Sequence, residues 1–161
     1  MAARVYTVSF TNLTVVANAT LLWINPGTTN SLQIKRVSIN QRGTSTAQQL
    51  GIILQSQVTA FPTVVSATPA RTMPTDAVST ITGATNGAAG TCGVNASANG
   101  GGTATIICSD SFNNLNGFLW VSTPDEEIYL SAGSASGFAV QLGGTPTTLT
   151  GWSGYLTYKE I

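Results

Sequence analysis

The sequence predicts an all-β protein, an antiparallel β-sandwich of jelly-roll-like architecture. About a quarter of the 161 residues are Ser or Thr, 17 are Gly, and only 7% are charged. This composition suits strands and turns better than solvated helices. Short apolar–polar alternations recur between Gly, Pro and Asn turns, and no stretch has the period of an amphipathic helix. We therefore expect one sandwich domain over residues 1–161, built from about eight to ten strands.

Four strands are predicted in the first part of the chain. Residues 4–10 alternate, and residues 20–24 are an apolar run that ends at an Asn-Pro-Gly turn. Residues 31–42 form a longer strand, and residues 50–58 alternate again. The segment that follows, about 59–102, is rich in Pro and Gly, and we interpret it as a long loop or arm. Its first part has room for an edge strand, where Pro is tolerated.

The strand at 31–42 contains a change of parity. Its apolar residues lie on one face before Lys35-Arg36 and on the other face after them, as judged from Leu32, Ile34, Val37 and Ile39. A β-bulge at Lys35-Arg36 would return all four to the core face. The alternative is a strand buried on both faces, which two adjacent cations disfavour.

Five further strands are predicted after residue 102, near 103–108, 118–121, 127–130, 138–142 and 152–159. Alternation in the last of these separates two faces. Trp152, Leu156 and Tyr158 share the face that we expect to be buried. The opposite face is mixed, and we interpret it as solvent-facing or as an interface with another subunit; its members are Ser153, Tyr155, Thr157 and Lys159.

The sequence has few residues that could support catalysis or bind a metal ion. There is no histidine, so the commonest general base and metal ligand is missing, and we expect no enzymatic activity and no cofactor. Asp125, Glu126 and Glu127 follow Pro124 in a predicted turn. They could bind Ca²⁺, but three consecutive carboxylates rarely converge on one point, so we favour a solvated loop.

Two further features leave alternatives open. Cys92 and Cys108 could form a disulfide across the glycine-rich loop, or they could be two free thiols. The six cations are scattered and balanced by six acids, so we expect no nucleic-acid binding. No apolar run approaches the length of a transmembrane helix, so we expect no membrane binding. Lys35-Arg36 is the one adjacent pair of cations, and we assign it to a strand edge or to an interface with another subunit or another protein, together with Tyr155, Thr157 and Lys159.

Two resemblances add to this interpretation. The closing Gly-Trp-Ser-Gly-Tyr-Leu-Thr-Tyr, residues 151–158, resembles the last strand of trimeric jelly rolls of the tumour-necrosis-factor and complement globular-head type. Three segments, residues 3–10, 119–126 and 154–160, resemble small structural proteins of tailed phages, which include capsid decoration (cement) subunits. The second resemblance implies a trimeric jelly-roll-like domain on the surface of a virion, made in the host cytoplasm and bound to the major capsid protein.

The expected function is therefore structural: a homotrimer that binds the outside of a phage capsid and stabilises the shell. The alternative is a receptor- or carbohydrate-binding head of a tail fibre. That alternative needs exposed aromatic side chains that stack on sugars, and the candidates are Trp23, Trp120 and Trp152.

Overall fold

The computed structural model describes residues 4–17, 19–43, 46–133 and 135–161. Ala3, which begins one of the segments compared above, lies outside these ranges. The described residues form strands and no helix, so the predicted all-β sandwich is confirmed. The strands are β1 (Arg4–Leu13), β2 (Thr20–Ile24), β3 (Leu32–Gln41), β4 (Gln49–Val58), β5 (Thr63–Ser66), β6 (Ala70–Arg71), β7 (Thr82–Gly83), β8 (Thr91–Ala98), β9 (Thr103–Asn113), β10 (Phe118–Val121), β11 (Ile128–Leu130), β12 (Ser136–Leu142) and β13 (Trp152–Glu160).

The strands form two sheets. Sheet A has the order β10-β3-β13-β1-β6, with β11 also paired to β3. Sheet B has the order β5-β8-β2-β12-β4-β9, with β7 paired to β8. Every pair is antiparallel except β7–β8. The four-residue connection from β9 to β10 joins the edge of sheet B to the edge of sheet A, so these two edges lie on the same side of the sandwich.

The main core lies between the two sheets. In β13 buried and half-buried residues alternate over its whole length, and Trp152, Leu156 and Tyr158 belong to the core as predicted. Gly154 occupies the same inner face because a side chain would not fit: a Cβ there would lie 2.7 Å from Cδ1 of Ile39 and 3.0 Å from Cε1 of Phe10. The glycine thus lets two apolar side chains meet over the backbone of β13.

The predicted β-bulge in β3 is confirmed. Thr157 of β13 is opposite Arg36, but the next residue, Tyr158, is opposite Ile34, so Lys35 is the additional residue. The bulge restores the side-chain parity, and the four apolar residues that frame it are all fully buried: Leu32, Ile34, Val37 and Ile39.

The prediction of a loop over residues 59–102 is wrong in part. The segment contains β5, β6, β7 and β8, and β8 is an eight-residue strand that pairs with β2 inside sheet B. Ile81, Cys92 and Val94 belong to the main core. The segment therefore extends sheet B beyond β2 and contributes side chains to the interior.

A second, smaller core lies on the outward face of sheet B. Trp23 is 1% exposed although it alternates with Leu22 and Ile24, which face the main core. It packs against Phe61, with ring centroids 5.4 Å apart, and its indole Nε1 donates a hydrogen bond to the carbonyl oxygen of Gly87 at 3.1 Å. Parts of the 59–102 segment, among them Phe61 and Val64, thus cover this face.

Candidate functional site

The outward face of sheet A collects the interface residues that the sequence suggested. Thr157 of β13 is opposite Arg36 of β3 on one side and Thr7 of β1 on the other. Directly opposite residues in an antiparallel pair share a face. Tyr155 and Lys159 have the same parity as Thr157, so they lie on this face too. The Thr7 and Thr157 hydroxyl oxygens are 3.3 Å apart, which joins β1 to β13 at the middle of this face.

Three large apolar side chains extend this face to the edge strands. Leu119 is opposite Ser38, Val121 is opposite Arg36, and Tyr129 is opposite Gln33. They are 62%, 47% and 56% exposed, in that order. Because the pairing puts them on the outward side, they form an apolar margin beside the polar rows of β3 and β13.

The bulge places Lys35 and Arg36 next to each other in β3, beside the apolar margin. The two cations differ in their partners. Lys35 forms an ion pair with Glu127, and the two side chains are 30% and 25% exposed. Arg36 is exposed and has no ion-pair partner among the described residues. One cation is therefore neutralised within the chain, whereas the other remains available.

A shallow pocket of about 350 Å³ lies at this position. Two hydroxyl groups, two cations and one carboxylate line it alongside apolar carbon, a combination that suits a small polar group with negative charge. The lining residues are Lys35, Arg36, Val121, Ser122, Pro124, Glu127 and Thr157.

The acidic turn between β10 and β11 forms the rim of this pocket. Glu127 points to Lys35, and the Glu126 carboxylate accepts a hydrogen bond from the Thr123 hydroxyl. Asp125 has a φ of 73°, a left-handed conformation that Asp adopts more readily than most residues. Within the described ranges no group of three His, Cys, Asp or Glu residues is arranged to hold a metal ion.

Of the two alternatives for the cysteines, the structure has the free thiols and not the disulfide. Cys92 and Cys108 are both free thiols. Cys92 lies in β8 and Cys108 in β9, and three strands of sheet B separate them. Four strand spacings correspond to about 19 Å, whereas a disulfide requires Cα atoms within about 7 Å. Burial raises the pKa of the Cys92 thiol to about 12, and its Sγ donates a hydrogen bond to the Ala67 carbonyl oxygen at 3.0 Å.

The tryptophans that were candidates for sugar stacking are largely internal. Trp23 and Trp152 are buried, and Trp120 is partly buried against the main core. Trp152 also uses its indole N–H within the chain, since Nε1 donates to the carbonyl oxygen of Thr148 at 3.0 Å. Tyr129 at the margin of sheet A is the aromatic side chain with the largest exposure among those described.

Sequence reasoning missed a buried carboxylate at the end of β13. Glu160 is 6% exposed and accepts hydrogen bonds from the Ser79 hydroxyl and, at 3.0 Å, from the Thr80 amide. The Ser79 hydroxyl also contacts the Tyr158 hydroxyl at 2.6 Å. Burial is the main cause that raises the pKa of Tyr158. This network fastens the chain near residue 80 to sheet A, and only the even spacing of Tyr158 and Glu160 hinted that Glu160 faces inward.

Comparison with known proteins adds no identification. No protein-family model, curated protein or solved structure gives a significant match to the chain. Among the residues described, no helix has the length and apolar character needed to cross a membrane.

Proposed function

We propose that the protein is a structural subunit of a virion, which binds the outside of a phage capsid as a homotrimer and stabilises the shell. The observation that carries the proposal is the outward face of sheet A. No loop that the structure describes covers its broad polar rows or its apolar margin of Leu119, Val121 and Tyr129. A surface of this kind is typical of a protein–protein contact.

The topology supports a jelly roll as the finer description of the fold. The eight principal strands, in chain order β1, β2, β3, β4, β9, β10, β12 and β13, form the two four-stranded orders β1-β13-β3-β10 and β2-β12-β4-β9 within the sheets. In this arrangement the first principal strand pairs with the last, and successive principal strands change sheet except from β4 to β9, as in a jelly roll of two Greek keys. The 59–102 segment is then an insertion between the fourth and fifth principal strands.

The proposed action needs no chemistry beyond binding. A subunit that binds the assembled shell and not its dissociated parts stabilises the shell by mass action. The resemblance of residues 3–10, 119–126 and 154–160 to small tailed-phage proteins supports the capsid as the partner. The protein is then made in the host cytoplasm and resides on the virion surface, without an enzymatic activity or a cofactor of its own.

The test is the copy number and position of the protein in purified particles. We expect hundreds of copies spread over the head, and we expect particles that lack the protein to lose their contents at a lower temperature than complete ones. Absence from the particles would contradict the proposal.

A tail-fibre head that binds a receptor or a carbohydrate is the second candidate. Tyr129, at 56% exposure, is the side chain that favours it, because an exposed ring next to polar side chains can stack on a sugar. Under this alternative a few copies would lie at the tail tip. Glycan binding would then be detectable on an array and lost in Tyr129→Ala.

A further inference from the structure

The pocket on sheet A contains a guanidinium group that has no acidic partner among the described residues. Arg36 has five N–H groups in a planar fork that matches a carboxylate, and within the described part of the chain no carboxylate pairs with it. The hydroxyl groups of Ser122 and Thr157 line the same pocket. Lys35 also lines it but is already neutralised by Glu127. The pocket is therefore suited to one additional carboxylate that comes from outside.

The chain also carries two carboxylates that form no ion pair within the described residues. Asp125 and Glu126 are both exposed, and no described Lys or Arg forms an ion pair with either of them. They occupy the turn between β10 and β11, with the pocket-lining residues Pro124 and Glu127 on either side. Glu127 alone turns inward to a cation, so the other two acids remain on the solvent side of the rim.

These two features are opposite in charge. The chain has six cations and six acids, so two copies have no net repulsion to overcome. Docking the turn of one copy on the pocket of another would pair Arg36 with one of the two exposed acids. It would also cover the apolar margin of Leu119, Val121 and Tyr129 beside the contact.

We propose that the Asp125–Glu126 turn of one copy binds in the Arg36 pocket of a second copy of this chain. The proposal deepens the proposed function, since it rests on the protein being a homo-oligomer, and it names the contact. The turn borders the pocket, so each copy carries both halves of the contact at one place on its surface.

Charge reversal with rescue tests the contact. Arg36→Glu places an acid opposite the turn, and Asp125→Asn combined with Glu126→Lys reverses the turn while keeping a residue that tolerates the left-handed backbone at position 125. We expect each change alone to raise the dissociation constant by at least about tenfold, because it creates a like-charge contact. The three substitutions together should return the dissociation constant to within about threefold of the unsubstituted protein.

Analytical ultracentrifugation of the full chain measures the association, and circular dichroism shows that each variant is folded. Arg42→Glu is the matched control, because Arg42 is also an exposed cation but follows β3 on the other side of the bulge, outside the pocket. It should leave the dissociation constant unchanged. Raising the salt concentration from about 0.05 to 0.5 M should weaken the association of the unsubstituted protein. An oligomer held together by apolar contacts alone would not weaken.

Three outcomes would overturn the proposal. One is an oligomer that tolerates Arg36→Glu, another is a loss of association that the combined variant does not restore, and the third is a monomer at about 100 µM. A monomer in solution that is still present in hundreds of copies on particles would overturn the contact and leave the decoration function standing. If the protein is absent from particles but the combined variant restores the oligomer, the decoration function would be overturned and the contact would stand.

Discussion

The outward faces of the two sheets are treated differently by the same chain. On sheet B, Trp23 rests beneath Phe61 and the Gly87 turn, and the 59–102 segment seals a small second core there. On sheet A, the outward face is left open, with Tyr155, Thr157 and Arg36 in neighbouring rows. The open face is the one that we propose as the binding site of a partner.

Two glycines of sheet B show how closely side chains pack on its outward face. A Cβ at Gly137 would lie 2.3 Å from Cζ2 of Trp23, and one at Gly93 would lie 2.2 Å from Cγ2 of Val64. Both positions need glycine because a large side chain lies directly on the strand. No such requirement marks the outward face of β13, where Ser153, Tyr155, Thr157 and Lys159 are half-buried by their neighbours. Close packing therefore distinguishes the covered face from the open one.

The largest expected effect comes from removing Trp23, the central side chain of the second core. Trp23→Ala should lower the free energy of unfolding by about 3–5 kcal/mol, because it deletes a fully buried aromatic side chain and leaves a cavity. Urea denaturation measures this loss. Trp23→Phe is the control: it keeps a ring against Phe61 and loses the hydrogen bond to Gly87, and it should cost much less. A loss below 1 kcal/mol in Trp23→Ala would show that the cover contributes little to stability.

Removing a side chain from the inner face of sheet A should lower the free energy of unfolding almost as strongly. Leu156→Ala deletes a core side chain between β1 and β3 and should cost about 2–5 kcal/mol in the same denaturation experiment. The effect should appear at any protein concentration, since Leu156 contacts the chain's own core and no partner. A concentration-dependent loss would mean that the inner face is stabilised by assembly.

The third effect depends on pH and comes from Cys92 in the main core. Burial raises the pKa of Cys92 to about 12, so the folded state keeps the thiol protonated where the unfolded state, with a pKa of about 8.5, does not. Its stabilising contribution is complete below the unfolded value and is lost as the pH rises toward 12. The free energy of unfolding should fall by about 1.4 kcal/mol per pH unit from this group above pH 9.

Denaturation at a series of pH values from 7 to 10.5 measures that slope. Cys92→Ala removes the titrating group and should flatten it. The buried tyrosines Tyr6 and Tyr158, whose pKa values are also raised by burial, leave a residual slope near the top of this range. An unchanged slope in Cys92→Ala would assign the whole effect to the tyrosines.

The smallest expected effect lies on the open face. Tyr155→Ala should change the stability of the folded chain by about 0.5 kcal/mol or less, the usual range for surface substitutions. If this face is an interface, the same substitution should weaken the oligomer severalfold in sedimentation equilibrium. A Tyr155→Ala variant with unaltered association would put the interface elsewhere on the molecule.

Most of the sandwich could be predicted because its strands follow simple rules of parity and turn chemistry. The change of parity at Lys35 was visible because the two apolar residues before it and the two after Arg36 would lie on opposite faces of a regular strand. A β-bulge is the simplest way to return all four to one face. The run from Leu21 to Ile24 lacked alternation for a related reason: both faces of β2 are covered, so every position is buried.

Other parts could not be predicted because the deciding contacts are distant in sequence. β8 was not recognised because its residues are small, and the alternation of Cys92 and Val94 was the only signal of its inner positions. The cysteine spacing suggested a disulfide across a loop, but β8 and β9 are separated inside sheet B. Likewise, no local pattern indicates that Arg36 and the Asp125–Glu126 turn meet at one pocket, since β3 and β10 must first pair.

The central position of β13 in sheet A has a consequence for the order of folding. β13 pairs with β3 on one side and β1 on the other, from Glu160 opposite Arg4 and Leu32 to Trp152 opposite Gln41. During synthesis the two flanking strands emerge early and must remain unjoined until residue 160 has been made. Closing such distant pairs is slow, and the exposed edges of β1 and β3 are vulnerable to aggregation in the interval. The yield of soluble protein should therefore depend on chaperones that hold the growing chain.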